Sequence, residues 1–174
     1  MDFRFLGLGM GVIVGLLICV VIFKAVNKDG KVKTKYDEMQ ELQRGRAYKY
    51  SFWTLAGAET VVCLLQLAQV KLLMDPFTAN LSCILLAALV HASYSVNHDA
   101  YIGLNTNYKR FVGICIGIGV FNFLISMLSF QHEGWIRDGV LQPPFANLLC
   151  AIIFIIIGVE MYIKNRTEKN EEED

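Results

Sequence analysis

Three polar side chains stand within one apolar stretch of the sequence and are the residues best suited to chemistry. They are Glu59, Gln66 and Gln69, and on a helix they fall within about 100° of one face. An ionised carboxylate is costly in an apolar environment, so Glu59 is expected to be protonated or paired. Two interpretations of the stripe are open: a proton or cation relay or polar substrate site, and a structural hydrogen-bond network.

Asn122 and His91, in other apolar stretches, are the candidate partners of Glu59. His91 lies nearer the end of its stretch, so contact with Glu59 requires a tilted helix or a bridging water. His91, His98 and Asp99 could form a metal set because residues seven apart share a helix face, but their spacing matches no standard site. We therefore expect no metal and no cofactor, and we interpret His91 as an interior structural residue.

These residues must be positioned by helices that cross a membrane. The chain has 174 residues, and 55% of them are hydrophobic and clustered in long runs. A helix of about 20 residues crosses a hydrocarbon core of about 30 Å, where backbone groups must hydrogen-bond internally. Five stretches meet this length, and they predict an all-α bundle of five transmembrane helices: residues 5–23, 50–70, 77–96, 111–130 and 145–163.

The distribution of cations predicts the orientation of this bundle. Thirteen Lys and Arg residues fall on one side and three on the other, which by the positive-inside rule predicts N-out, C-in topology in the plasma membrane. The three on the outer side are Arg4, Lys71 and Arg137. The first span lacks a basic start and a small-residue cleavage pattern, so we expect it to be retained rather than cleaved as a signal.

The segment 27–49 is predicted to be a cytoplasmic helical loop. It starts with turn residues at 27–30, and from about Tyr36 it forms a helix that continues into the second span without a break. Its acidic residues come first and its cations near the membrane, which suits the helix dipole. Cations and aromatic rings at its end predict an anchor to lipid phosphates and headgroups. That anchor comprises Arg44, Arg46, Tyr48, Lys49 and Trp53. A docking site for another protein is the alternative interpretation.

The same segment resembles a motif of small bacterial multi-spanning membrane proteins that have no settled activity. The matching residues are Tyr36-Asp37-Glu38-Met39-Gln40 and Arg44-Gly45-Arg46-Ala47, against a pattern of Y-D-E-x-Q followed by R-G-K-A. Arg46 stands where lysine is commoner in that group. The resemblance covers about 20 residues. It implies a bacterial membrane protein, and it transfers no catalytic residue.

Glycines spaced four apart predict helix-packing faces on the first and fourth spans. Such glycines share one side of a helix and let another backbone approach closely, which drives association in lipid. The partner could be another helix of this chain or another protomer. The residues are Gly7, Gly11 and Gly15 on the first span, and Gly113 and Gly117, with Gly119 beside them, on the fourth.

The remaining polar features have ordinary structural interpretations. Glu160 is expected to pair with Lys164, one turn away near the inner surface. Asp75 and Pro76 suit the start of the third span, so the second and third spans are predicted to form a tight outer hairpin. The acidic tail, residues 164–174, is predicted to be disordered. All five cysteines lie within spans and are interpreted as small apolar residues.

Motifs typical of enzymes are absent from the sequence, which has no HExxH, GxSxG or phosphate-binding glycine loop. The leading hypothesis is therefore a non-enzymatic integral membrane protein that acts by association, as a subunit, scaffold or regulatory partner. Its expected partners are the lipid bilayer and either a second copy or another membrane protein, and no nucleic acid. The alternative is a small oligomeric proton- or cation-coupled transporter or channel built around Glu59.

Overall fold

The protein is all-helical in class, as predicted, and helices hold 75% of it. The computed structural model describes residues 3–173, with side chains for all of these except 3–9, 11, 12, 133, 168, 169 and 171–173. The helices are α1 (Phe3–Val26), α2 (Glu38–Leu67), α3 (Pro76–Asn97), α4 (Tyr108–Glu133) and α5 (Pro144–Glu173). A short hairpin of β1 (Ile136–Arg137) and β2 (Val140–Leu141) joins α4 to α5.

Three helices are long and apolar enough to cross a membrane, namely Pro76–Asn97, Tyr108–His132 and Pro144–Thr167. Among the described residues, α1 contributes a shorter apolar helix, Ile13–Val26. The 30-residue α2 has the length of a span, but half of it is polar, and Glu59 and Gln66 interrupt the rest. The apolar runs therefore indicate a membrane protein. Three of the five predicted spans are both long enough and apolar enough to cross a membrane.

Short polar side chains start three of the helices. At α2, Asp37 accepts the N–H of Gln40 at 2.7 Å, and Gln40 accepts the N–H of Asp37 in return at 3.3 Å. Asp75 accepts two N–H groups at the start of α3, where Pro76 is the first residue. Asn107 accepts the N–H of Arg110 at the start of α4. The cap at Asp75 confirms the predicted start of the third span.

The helices pack in the order α2, α3, α5, α4, and α1 touches α4. The buried core lies where α3, α4 and α5 meet, near the end of the bundle that holds the 98–107 loop, and it is built around Ala92, Val112 and Ile157. α2 packs closely on α3, so the predicted hairpin of the second and third spans is present. α2 therefore forms one edge of the bundle, and Glu59 is on that edge helix.

The bundle has two distinct ends. At the first, the loop end, residues 27–35 bond to residues 103–107, and we call this pair of segments the loop clasp. At the second, the hairpin end, Leu141 of β2 accepts the N–H of Asp75 at 2.9 Å and donates to Leu73 at 2.8 Å. The hairpin therefore lies against the α2–α3 turn.

Two helices differ in length from the predictions. α2 begins at Glu38, close to the predicted start near Tyr36, and runs unbroken into its apolar half, but it ends at Leu67 rather than at residue 70. α5 continues to Glu173, where a disordered tail was predicted. The tail has no Gly or Pro that would end the helix, and Thr167 donates to the carbonyl of Ile163 one turn back.

Candidate functional site

Glu59 lies half-buried on the side of α2 that faces α3. Its carboxyl group is close enough to Cys83 of α3 to act on that thiol electrostatically. Among the described side chains, Glu59 makes no hydrogen bond and no ion pair. It is thus an acid in the apolar half of the edge helix, and the described residues supply no bonding partner for it.

The structure does not bring Glu59 to either of its candidate partners. Asn122 donates to the carbonyl of Ile118, on its own helix α4, at 2.9 Å, and α4 packs on α5 rather than on α2. His91 lies beside the ring of Tyr48, with centroids 4.5 Å apart. Tyr48 precedes Glu59 by 11 residues, or about 16 Å along the helix. The predicted cluster of Glu59, Asn122 and His91 is therefore not one site.

Gln69 is separated from Glu59 because α2 ends earlier than predicted, whereas Gln66 stays on α2, two turns from Glu59. Gln69 has a φ of 55° and lies past the helix end. The N–H of Val70 donates to Leu65 at 3.0 Å and the N–H of Gln69 to Gln66 at 3.0 Å, a helix-terminating pattern that usually has glycine at this position. The predicted stripe therefore stops at Gln66, and both glutamines line a shallow groove at the hairpin end.

Asn105 is the most connected polar residue of the loop clasp. Its side-chain oxygen accepts the N–H of Lys35 at 2.8 Å, and its amide nitrogen donates to both carboxylate oxygens of Asp29, at 3.1 and 3.2 Å, and to the carbonyl of Lys33. A hydrogen bond from the N–H of Lys31 is the main reason that the pKa of Asp29 lies below its ordinary value. The Asn-Thr-Asn run of this loop was the available sequence signal, because short amides bond readily to backbone.

A second contact closes the clasp. Gly103 lies so near residues 34 and 35 that a Cβ at this position would be 2.6 Å from the carbonyl oxygen of Lys35 and would overlap the Thr34 methyl group. The same carbonyl accepts the N–H of Leu104 at 2.8 Å. The two loops are therefore held backbone to backbone, and only glycine fits between them.

Arg44 has an internal role that was not predicted. Its guanidinium carbon lies 4.0 Å from the centroid of the Tyr36 ring, and its nitrogens bond the hydroxyl of Tyr48 and the carbonyl of Ala100. Burial raises the pKa of Tyr36. Arg44 therefore connects α2 to the 98–107 loop. The other two cations of the predicted anchor, Arg46 and Lys49, are exposed.

The predicted anchor keeps its other members on the surface. Arg46, Lys49 and Trp53 are spaced three and four residues apart on one exposed side of α2, and the Trp53 side chain is 65% exposed. Tyr48 is exposed as well, although its ring also contacts His91. Cations and an amphipathic ring on one helix face are typical of the membrane–water interface.

His91 on α3 and His98, just beyond the end of α3, both contact aromatic rings. The rings of Tyr94 and His98 stack with centroids 4.0 Å apart, and Tyr94 donates to Gln43 of α2 at 3.1 Å. His91 has a buried Nδ1 without a hydrogen-bond partner among the described residues. Within the described residues, no three His, Cys, Asp or Glu side chains are arranged to hold a metal ion.

Glu160 has a different contact from the one predicted. Its Oε1 accepts the hydroxyl of Ser93 on α3 at 3.0 Å, and its Oε2 is buried without a hydrogen-bond partner among the described residues. Lys164 instead pairs with Asp99, which has a φ of 56° just beyond the end of α3, and donates to the carbonyl of Val96. Lys164, the predicted partner of Glu160, therefore contacts the end of α3.

The close approach between α4 and α5 uses Gly119, one of the three predicted glycines of the fourth span, and Gly158, which was not predicted. A Cβ on Gly119 would lie 3.0 Å from Ile155, and one on Gly158 would lie 3.0 Å from Ile116. A Cβ on Gly113, Gly117 or Gly15 would meet no atom within 4 Å. Gly7 and Gly11 lie outside the residues whose side chains are described.

The fold and these contacts define a class: a helical, membrane-embedded protein with a firmly joined loop end and an acid on its edge helix. No protein family, curated protein or solved structure matches the chain.

Proposed function

We propose that this protein is a five-span, non-enzymatic integral membrane protein of a bacterial plasma membrane that acts by association, as a subunit, scaffold or regulatory partner. In this topology α1 and the membrane half of α2 are the two further spans. The loop clasp supports it, because it holds the ends of α1 and α3 and the starts of α2 and α4 together. That arrangement is expected when consecutive helices alternate in direction across the bilayer.

The charge difference between the two ends supports an N-out, C-in orientation. The cations counted as inner, including Lys28, Lys35 and Arg110, belong to the loop end. Of the cations counted as outer, Lys71 and Arg137 belong to the hairpin end. The loop end would therefore face the cytoplasm.

The observation that carries the association proposal is the exposure of α1. The large side chains from Ile13 to Phe23 are exposed almost throughout, with Leu16 at 63% and Val21 at 65%. By contrast Val26, at the inner end, is 1% exposed, and it is fixed by the N–H of Asn107. The helix is thus fastened to the bundle at its inner end and leaves an open face around Gly15 for another transmembrane helix.

Substituting Gly15 with leucine tests this proposal. We expect Gly15→Leu to reduce the mass of the particle in nanodiscs to that of one chain, because the new side chain separates the two backbones. Ile13→Phe, which adds bulk on the opposite face of α1, is the matched control and should retain the complex. Mass photometry and identification of a stoichiometric second chain make the measurement. An equal particle mass for wild type and Gly15→Leu would contradict the proposal.

The second candidate function, a proton- or cation-coupled transporter or channel, is favoured by the unpartnered carboxyl group of Glu59. An intramembrane acid is often part of an ion pathway. If Glu59 carries protons or cations, Glu59→Gln should abolish flux in proteoliposomes while the thermal midpoint changes little. Glu38→Gln, which removes an exposed acid outside the membrane half, is the control and should keep the flux.

Substitutions of Glu59 also separate the two candidate functions. Association through α1 predicts that Glu59→Gln leaves the particle mass unchanged and that the wild type shows no proton- or cation-dependent flux. A stable Glu59→Leu variant with wild-type mass and wild-type flux would leave Glu59 without a role in either account.

A further inference from the structure

A groove of about 500 Å³ lies at the hairpin end between the start of α3, the end of α4 and the start of α5. One wall is apolar and is built by Phe77 and Leu81 of α3 and by Pro143 and Pro144. The ring of Phe77 is 61% exposed. Gln142 and Asn147 add amide groups to the lining. The groove therefore combines apolar and polar lining residues.

Arg137 supplies the positive charge of this groove. It is exposed, and among the described residues that line the groove it is the one with a charged side chain. Among described side chains it makes no hydrogen bond or ion pair, whereas the neighbouring cation Lys71 donates to the carbonyl of Asp138 at 3.1 Å. Arg137 also lines the adjacent groove, to which Asp75 and Asp138 contribute.

The position of Arg137 is built into the hairpin. Asp138 and Gly139 both have positive φ values, 52° and 75°, which form the tight turn that suits a two-residue β-hairpin. Arg137 pairs with Val140 in the register of that hairpin. Trp135, two residues before Arg137, packs its ring against Phe130 and donates to the carbonyl of Ser126 at 3.2 Å. The guanidinium is therefore presented from a backbone that the bundle holds in place.

We propose that this groove binds a phospholipid, with its phosphate on Arg137 and the first part of an acyl chain along Phe77 and Leu81. A guanidinium presents two parallel N–H donors to phosphate oxygens, which is a preferred geometry for phosphate recognition. The groove lies where the apolar starts of α3 and α5 meet a polar loop, which is the level of lipid headgroups in the five-span topology. The membrane placement rests on the proposed function.

Lipid binding by the purified full-length chain tests this assignment. Native mass spectrometry from detergent, with phosphatidylglycerol titrated as the probe, should show an adduct whose affinity falls at least 10-fold in Arg137→Ala. Arg137→Lys should retain part of the affinity, because a lysine keeps the charge without the forked donors. Lys109→Ala, which removes an exposed cation at the loop end, is the matched control and should bind as the wild type does.

Two further probes decide what the groove recognises. Diacylglycerol has the acyl chains without the phosphate and should bind at least 10-fold more weakly than phosphatidylglycerol. Equal binding of the two lipids, or equal phosphatidylglycerol binding by wild type and Arg137→Ala, would overturn the proposal. Displacement of the lipid by millimolar inorganic phosphate would also overturn it, since the site would then be one for a free anion.

Failure of this inference is distinguishable from failure of the proposed function. The lipid adduct is measured on a single chain in detergent and does not depend on Gly15 or on a protein partner. A chain with an unchanged particle mass in Gly15→Leu would still report lipid binding at Arg137.

Discussion

Replacing Gly103 with valine is expected to lower the free energy of unfolding by about 3 kcal/mol, because the loop clasp has no room for a side chain. The first atom added would already be 2.6 Å from the carbonyl oxygen of Lys35 and would overlap Thr34. The loops can separate only by breaking the bond from Leu104 to that carbonyl. In detergent, the thermal midpoint should fall by roughly 6–12 °C.

Gly45→Val is the matched control for this experiment. A Cβ on Gly45 meets no atom within 4 Å, and the residue is an exposed position of α2. Its expected change is only the small difference in helix propensity between glycine and valine, a few tenths of a kcal/mol. Equal thermal midpoints for Gly103→Val and wild type would mean that the clasp does not hold the loops this closely.

Substituting Gly119 with leucine is expected to have the second large effect, by separating α4 from α5. Its Cβ would lie 3.0 Å from Ile155 and 3.3 Å from the carbonyl oxygen of Ala151. The remaining leucine atoms have no space in this interface, and overpacking of this kind costs about 1–3 kcal/mol. We expect a thermal midpoint lower by roughly 2–12 °C and a loss of packing between α4 and α5.

Gly117→Leu is the natural comparison, because it makes the same substitution on the same helix. A Cβ on Gly117 meets no atom within 4 Å, so the single chain should keep its thermal midpoint. A Gly117→Leu variant that loses stability as much as Gly119→Leu does would contradict the observed packing of α4 on α5. A Gly117→Leu variant that is stable but has a lower particle mass would assign Gly117 to a contact between chains, as its spacing with Gly113 predicts.

The two pairs of variants also bear on how the bundle is held together. The loop clasp is made by hydrogen bonds between short polar side chains and backbone, whereas the α4–α5 contact is made by glycine against isoleucine. Dense contacts between backbones replace the hydrophobic driving force that helices lack in lipid. On the open face of α1, the described side chains make neither kind of contact.

Features that depend on a short run of residues were predictable from the sequence. The helical class and the membrane location follow from apolar runs of about 20 residues, which need no information about the rest of the chain. The caps at Asp37 and Asp75 and the start of α5 at Pro144 follow from local hydrogen bonding and from the geometry of proline. The unbroken course of α2 from Glu38 into its apolar half was also predictable, because it depends on the residues of one continuous segment.

The partners of the polar and small residues were decided by the tertiary structure. Lipid and protein interior are equally apolar, so the pattern of a membrane helix does not reveal which face meets another helix. For that reason the sequence indicated Gly113, Gly117 and Gly119 together, and in the fold the close contact is made by Gly119 and by Gly158. Contacts between residues far apart in the chain, such as Asn105 with Asp29, depend on which loops meet.

The sequence by itself determined that this protein is made of helices and that it belongs in a membrane, because both properties follow from local composition. Only the tertiary structure decided that Glu59 has no partner among the described residues, that Arg44 stacks on Tyr36, and that Arg137 stands unpaired at a groove. The physical reason is that each of these facts depends on how separate helices and loops pack against one another. That packing cannot be derived from the sequence of one segment alone.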